Sequence, residues 1–311
     1  MVGLLDTQGY FDLMKLPYPV ERTGVLDRFE HERLIIRERD SWAITRLGAL
    51  LFAKRLEDFA GLSRKAPRVA VYEGTGKLKT RLDKPYTKGY AVGFEGLIGF
   101  INGLVPGNEM IKHALRDEVK MFPEIAIREL AANALIHQDF NQSGGSVMIE
   151  LYSDRLEISN PGEPFIPTER FIDAYRSRNE QLADLMRRLR ICEEKGSGID
   201  KVIDAVEVFQ LPPPDFRTGA GRTTAVLFAH KMFEAMDRSE RVRACYQHCC
   251  LRYVMNEKMS NQSLRERFKL PEGKAANVSQ VISEAVKAGK IKLDDSGTTS
   301  KRYARYIPYW A

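Results

Sequence analysis

Glu129, Asn133 and His137 recur every four residues in the stretch ELAANALIHQD, so a helix there carries a carboxylate, an amide and an imidazole on one stripe. Three such groups aimed one way invite a polar ligand. Ile127, Leu130, Ala131, Ala134 and Leu135 fall on the other side, which suits packing against a sheet. Pro123 can start this helix at its first turn. Two glycine-bearing turns follow. DRLEISNPGEP, from Asp154 to Pro164, reads as a short strand entering a Pro-Gly turn, with Asn160 just before it and Gly162 within it. KGSGI, from Lys195 to Ile199, opens another helix. Glycines such as Gly196 and Gly198 let backbone N–H groups approach a phosphate, with Ser197 between them, and the positive end of the helix adds about 0.3–1 kcal/mol.

Positioning these groups takes a layered α/β arrangement. The segment to about Gly61 reads as a helix (Val25–Glu32), a hairpin around Arg39-Asp40 and a helix from Arg46 to Leu56 capped by Thr45. Arg68–Tyr72 is a strand, and Lys77–Lys88 is a connection or edge hairpin. Phe94–Leu104 and Glu109–Leu115 carry helical periodicity. Val147, Ile149 and Leu151 alternate in one strand and Leu156 and Ile158 in the next, across a tight turn at Ser153-Asp154. A helix is expected over Phe171–Leu189 and another over Ile199–Val208, which the prolines at 212–214 end. Thr223–Phe228 is a last strand. Helices layered on one face of a mixed sheet give an α/β (α+β) sandwich.

From Ser239, taken as a cap, the order changes to helices at 239–255, Asn261–Phe268 and Ala276–Ala288. Strands at Lys290–Leu293 and Lys301–Ile307 follow, across a turn at Asp295-Ser296-Gly297. Three helices and a terminal hairpin are the order of a winged helix-turn-helix. The expected division is residues 1–65 (winged-helix-like), 66–235 (the sandwich) and 238–311 (winged helix).

The order E-x-x-x-N-A, strand-N-P-G, G-x-G-I resembles the nucleotide-binding boxes of GHKL-type ATPases. More narrowly, IRELAANALIHQDF, DRLEISNPG, RSRNEQLA and EEKGSGIDKV resemble a RecG-related branch of transcriptional regulators, from about Leu5 to the end of the chain. Members of that branch often carry an AlbA/Schlafen-like domain just before this point. A full one does not fit here, so either the protein lacks it or the chain is a fragment.

The resemblance implies an ATP site with Mg²⁺. Asn133 would coordinate the metal between triphosphate oxygens, and Glu129 would position or activate the attacking water. His137 would complete the metal or phosphate shell, or else hydrogen-bond the loop at Asn141. Asn160 stands where active relatives have an Asp that accepts from the adenine amino group; an amide oxygen can still accept, without charge. Gly162 follows in that box, where Pro164 replaces the usual second glycine. Arg178 and Asn179, with Arg176, lie on the segment that forms the lid. Gly196, Ser197 and Gly198 would cradle phosphate. Gln138 stands where relatives often carry Arg.

Composition sets outer limits. No apolar run approaches the ~18 residues that cross a bilayer, and four cysteines without paired spacing fit a reducing cytoplasm. Cys245, His248, Cys249 and Cys250 share one helix, which cannot readily close a tetrahedral zinc shell. No G-x-x-x-x-G-K-[ST] loop is present, so a helicase motor of the RecA type is not supported. From Arg238 onward, 15 Lys/Arg oppose 7 Asp/Glu, a net +8, whereas the remaining 33 basic and 35 acidic residues leave −2. That asymmetry favours double-stranded DNA as partner. Asn277, Ser279, Gln280, Ser283 and Lys287 on the recognition helix are placed to contact it, as are Lys301, Arg302 and Arg305 on the wing; dimerisation is the other use of such a module. The reading is a cytoplasmic, ATP-binding, DNA-binding regulator, expected to be a homodimer. The alternative is an active Mg²⁺-dependent ATPase of DNA maintenance or phage defence.

Overall fold

The computed structural model describes residues 2–112, 115–192, 197–294 and 304–311. At the start, α1 (Thr7–Met14) and α2 (Arg22–His31) precede the hairpin β1 (Ile35–Glu38) and β2 (Ser41–Ile44). Next comes α3 (Arg46–Phe52), where Thr45 Oγ1 accepts from the Gly48 amide at 3.0 Å. This helix ends earlier than its apolar pattern suggests. A side chain at Gly48 would meet the Leu34 carbonyl at 2.2 Å, so only glycine lets α3 lie against the hairpin.

The central sheet has the order β4-β3-β7-β8-β10-β9. Its strands are β3 (Arg68–Tyr72), β4 (Thr80–Pro85), β7 (Met148–Leu151), β8 (Arg155–Pro161), β9 (Asp215–Gly219) and β10 (Arg222–Phe228). All neighbours are antiparallel except β3 with β7. Val69, Ile149 and Ile158 lie in register and are buried. Glu150 alternates to the other face, where it accepts from Tyr72 and Lys77. One face packs and the other is polar, the pattern period-two alternation produces. The packed face carries α5 (Glu124–His137), which contacts β8 and lies against α4 (Tyr90–Leu104) and α7 (Gly198–Val208).

Two further expected elements differ, and one strand is additional. The helix expected over Glu109–Leu115 is strand where it is described: β5 (Gly107–Lys112) and β6 (Leu115–Lys120) pair antiparallel. Seven residues of apparent periodicity are too few to separate helix from strand. The span 171–189 is helical only from Glu180 to Arg188 (α6), because the chain that leaves the 3-10 turn at Thr168–Arg170 stays irregular through residue 179. Strand β9 was not foreseen; its signal is the tight turn at Ala220 (φ +50°) and Gly221 (φ +70°), which returns the chain into β10.

The C-terminal part holds α8 (Arg238–Val254), α9 (Asn261–Arg267), α10 (Ala275–Lys287) and the strand pair β11 (Ile291–Leu293) and β12 (Tyr306–Pro308). Asp237, not Ser239, caps α8, through a reciprocal capping box with Glu240. The expected turn at Asp295-Ser296-Gly297 lies outside the described residues. Buried apolar side chains form one cluster from Leu5 to Ile291. No helix among the described residues is long and apolar enough to cross a membrane.

Candidate functional site

Helix α5 begins after Pro123, which serves as its N-cap rather than its first residue. Its i, i+4 stripe faces a cleft of about 1090 Å³, counting its open mouth, and Glu129, Asn133 and His137 all line it. The far wall is made by Asn160 at the end of β8 and by Thr223 and Ala225 on β10. The floor is Gly198, first residue of α7. A Cβ at Gly198 would stand 2.7 Å from Glu129 Oε2 and 3.7 Å from the Asn133 amide nitrogen, so α7 starts directly against those two groups. Ser197 is the N-cap of α7 and makes no side-chain capping bond. The positive end of α7 therefore points at the carboxylate and amide of α5.

The mouth is closed on one side by the segment after β8. Phe165 carries two guanidinium groups, Arg178 at 4.3 Å and Arg176 at 4.9 Å from the ring centre. Arg178 also donates to the Glu163 carbonyl at 2.8 Å and lies 3.8 Å from Asp139. Burial, and then the charge of Arg178, push the His137 imidazole down to about 4. It is therefore neutral at physiological pH, stacked edge-on against Tyr175 at 5.9 Å.

Other expected site residues serve the frame. Gly162 does not line the cleft; at φ +104° it turns the chain, its amide donates to the Gly221 carbonyl, and Thr223 Oγ1 holds its carbonyl at 2.7 Å. Asn179 Nδ2 donates to the carbonyls of Ile136 and Gln138 at 2.7 and 2.8 Å, tying down the last turn of α5. Gln138 is fully buried and donates to Tyr90 and the Leu135 carbonyl, so it faces away from the cleft. Gly196 lies outside the described residues. Phe165, Tyr175 and Thr223 line the cleft without having been singled out in the sequence. The apolar Phe165, three residues past the Pro161-Gly162 turn, was the available signal.

On α10, Val278, Val281, Ile282 and Ala285 are buried while Ser279, Gln280, Ser283 and Lys287 are exposed on the opposite face. Asn261 of α9 donates to Ser279 Oγ at 2.9 Å. Arg305 is exposed beside β12; Lys301 and Arg302 lie outside the described residues.

The C-terminal helices are fastened to the end of α7. Glu207 accepts from His248 Nδ1 at 2.9 Å and pairs with Arg267 Nε at 3.3 Å. The Arg267 side chain is 2% exposed and also donates to the Leu211 carbonyl at 2.7 Å. A second fastening joins Glu169 to Lys290 and to Tyr309, at 2.9 Å, with Arg170 lying 4.9 Å over the Trp310 ring.

Residues 144–227 match the family described as "Putative ATP-dependent DNA helicase recG C-terminal". The match spans the sheet from β7 to β10 with α6 and α7, and defines a RecG-related ATPase-like segment. It begins after α5, so Glu129, Asn133 and His137 lie outside it. No curated protein matches the chain. Among solved structures, the DIP2311 protein from Corynebacterium diphtheriae superposes with a TM-score of 0.61 at 16% identity, over 99% of this chain and 62% of that one. This likeness concerns the fold, and the chain spans about three fifths of that neighbour's length.

Proposed function

We propose that the chain is a nucleotide-responsive DNA-binding regulator. Mg-ATP would occupy the α5 cleft, and the C-terminal unit would bind double-stranded DNA as part of a homodimer, since two-fold DNA sites favour dimeric readers. One observation carries this reading. Helix α7 starts in the cleft at Gly198 and carries in its last turn Glu207, which holds Arg267 and His248 of the C-terminal helices. Eleven residues at about 1.5 Å each make a rigid strut of roughly 16 Å. A ligand that shifts the start of α7 therefore shifts the unit carrying α10.

The donor set suits a nucleotide-borne Mg²⁺. Among the described residues, no three His, Cys, Asp or Glu gather as a metal centre. Asn133 and Glu129 offer oxygens at the cleft, and Mg²⁺ commonly takes one or two protein oxygens, with phosphates and water for the rest. In this reading Asn133 holds the metal and Glu129 orients water. Ser197 and Gly198 meet phosphate at the α7 N-terminus, with Gly196 before them. Asn160 offers an acceptor to the base: its Nδ2 donates to the Pro161 carbonyl at 3.0 Å, which leaves Oδ1 to accept. Neutral His137 adds hydrogen bonding without charge, and Arg178 is positioned to leave Phe165 for a phosphate.

The exposed face of α10 and the +8 charge of residues 238–311 support DNA as the partner. Fluorescence anisotropy on a labelled duplex, with and without Mg-ATP, tests this. If about four phosphates are neutralised, a fourfold rise in salt lowers affinity about a hundredfold, and Mg-ATP changes the affinity at fixed salt. A flat salt response, or no binding at low salt, would remove DNA from the account.

A further inference from the structure

A second cleft of about 770 Å³, counting its open mouth, lies between the ATPase-like segment and α8. Its apolar lining comes from both sides: Ile172, Ile203 and Phe216 from one, Val242 from the other. Phe171, Ile199 and Phe216 also line the α5 cleft, so the two spaces share a wall.

Two polar side chains one turn apart on α8 line this second cleft with unmet hydrogen-bonding capacity. Gln247 is 7% exposed. Its Nε2 donates to the Pro214 carbonyl at 2.9 Å, which fixes the amide orientation, and its Oε1 has no partner. Arg243 Nε is likewise buried and unpartnered. Arg243 pairs with Asp215 at 3.4 Å, with the Glu240 and Asp237 carboxylates also nearby, but Asp215 is already bound by Arg217 Nε at 2.6 Å and Glu240 by Lys231. The other charges on the rim, Lys290 and Glu169, pair with each other. A buried donor and a buried acceptor left unpaired are each costly. An apolar cavity with a few such convergent groups is the common form of a small-molecule site.

We infer that this cleft is an effector site for a small apolar α-amino acid. The ligand carboxylate would meet Arg243, its ammonium group would meet Gln247 Oε1, and its side chain would lie against Ile172, Ile203, Phe216 and Val242. Residues four apart on a helix are neighbours, as the two adjacent charged groups of an α-amino acid require. The inference does not depend on nucleotide binding in the first cleft.

Calorimetric titration of the full chain with L-leucine and L-phenylalanine, without nucleotide, tests it. Saturable binding is expected for at least one, with Kd raised tenfold or more in Arg243→Met and in Gln247→Met, since a hydrogen bond to a charged group is lost in each. Val242→Trp, which projects a bulky ring into the apolar wall, is expected to abolish binding while the far-UV circular dichroism spectrum stays native. No saturable heat with either amino acid overturns the proposal. Binding that survives unchanged in Val242→Trp and in Arg243→Met overturns it as well, because the ligand then sits elsewhere.

Discussion

Replacing Glu207 by alanine removes the carboxylate that two C-terminal side chains share. Arg267 Nε sits 3.3 Å from it with only 2% of the side chain exposed, so the variant strands a buried cation whose main remaining partner is the Leu211 carbonyl. Removing one member of a buried ion pair costs about 3–5 kcal/mol. Two effects work the other way. Alanine is the better helix former by a few tenths of a kcal/mol, and an acid in the last turn of α7 opposes the helix dipole by about 0.3–1 kcal/mol. The expected net loss is therefore about 2–4 kcal/mol. Urea unfolding followed by tryptophan fluorescence reads it. The chain has two tryptophans, and Trp310 lies in the C-terminal fastening beneath Arg170. Glu207→Ala combined with Arg267→Met removes the stranded charge and is expected to recover most of the loss, since a buried pair replaced by apolar groups is often neutral. Strict additivity of the two single variants, or a loss under about 1 kcal/mol in Glu207→Ala, would refute the claim that this pair fastens α7 to the C-terminal helices.

Further outcomes are expected. His137 is held near 4 in the fold against 6.5 when free, so the unfolded chain binds the extra proton between those values. Its contribution is whole above pH 6.5 and is lost as pH falls toward 4, at most about 3 kcal/mol at 1.36 kcal/mol per unit; urea unfolding of His137→Gln across that window should show a flatter pH dependence. Burial and the nearby Asp173 raise the Asp200 carboxyl to about 6, and its Oδ1 has no partner. The raised acid favours folding at low pH and opposes it as pH rises through 6, so Asp200→Asn should stabilise the protein at pH 7.5 by about 1 kcal/mol, after allowance for solvent screening and the lost dipole contact. The gain should vanish near pH 4. Gly162→Ala forces φ +104° on an L side chain and brings its Cβ within 3.0 Å of the Asp139 Cβ, so a loss of about 2–3 kcal/mol in denaturant unfolding is expected.

Much of the cleft could be read from spacing alone. The i, i+4 recurrence of Glu129, Asn133 and His137 sets a direction as soon as the stretch is helical, and all three line one cavity. Asn160 and Gly198 follow from the turn and helix start that carry them. What could not be read was which polar residues serve the backbone instead. Asn179 and Gly162 look like ligand residues in sequence, yet one caps α5 and the other takes a left-handed turn, since both tasks depend on neighbours distant in the chain. Phe165 and Tyr175 escaped notice because an aromatic in an irregular segment has no period. The antiparallel pair β5 and β6 and strand β9 were missed for a related reason: their order comes from a partner strand, not from local pattern.

Thermal unfolding with and without Mg-ATP, on wild type beside Asn133→Ala, shows whether nucleotide binds against α5. A ligand at about 100 times its dissociation constant stabilises the native state by about 2.7 kcal/mol. A clear upward shift is expected in wild type and its loss in Asn133→Ala, with the two proteins melting alike in the absence of nucleotide. Equal shifts in both would place the nucleotide away from α5, and no shift in wild type at millimolar Mg-ATP would mean that the α5 cleft is not a nucleotide site.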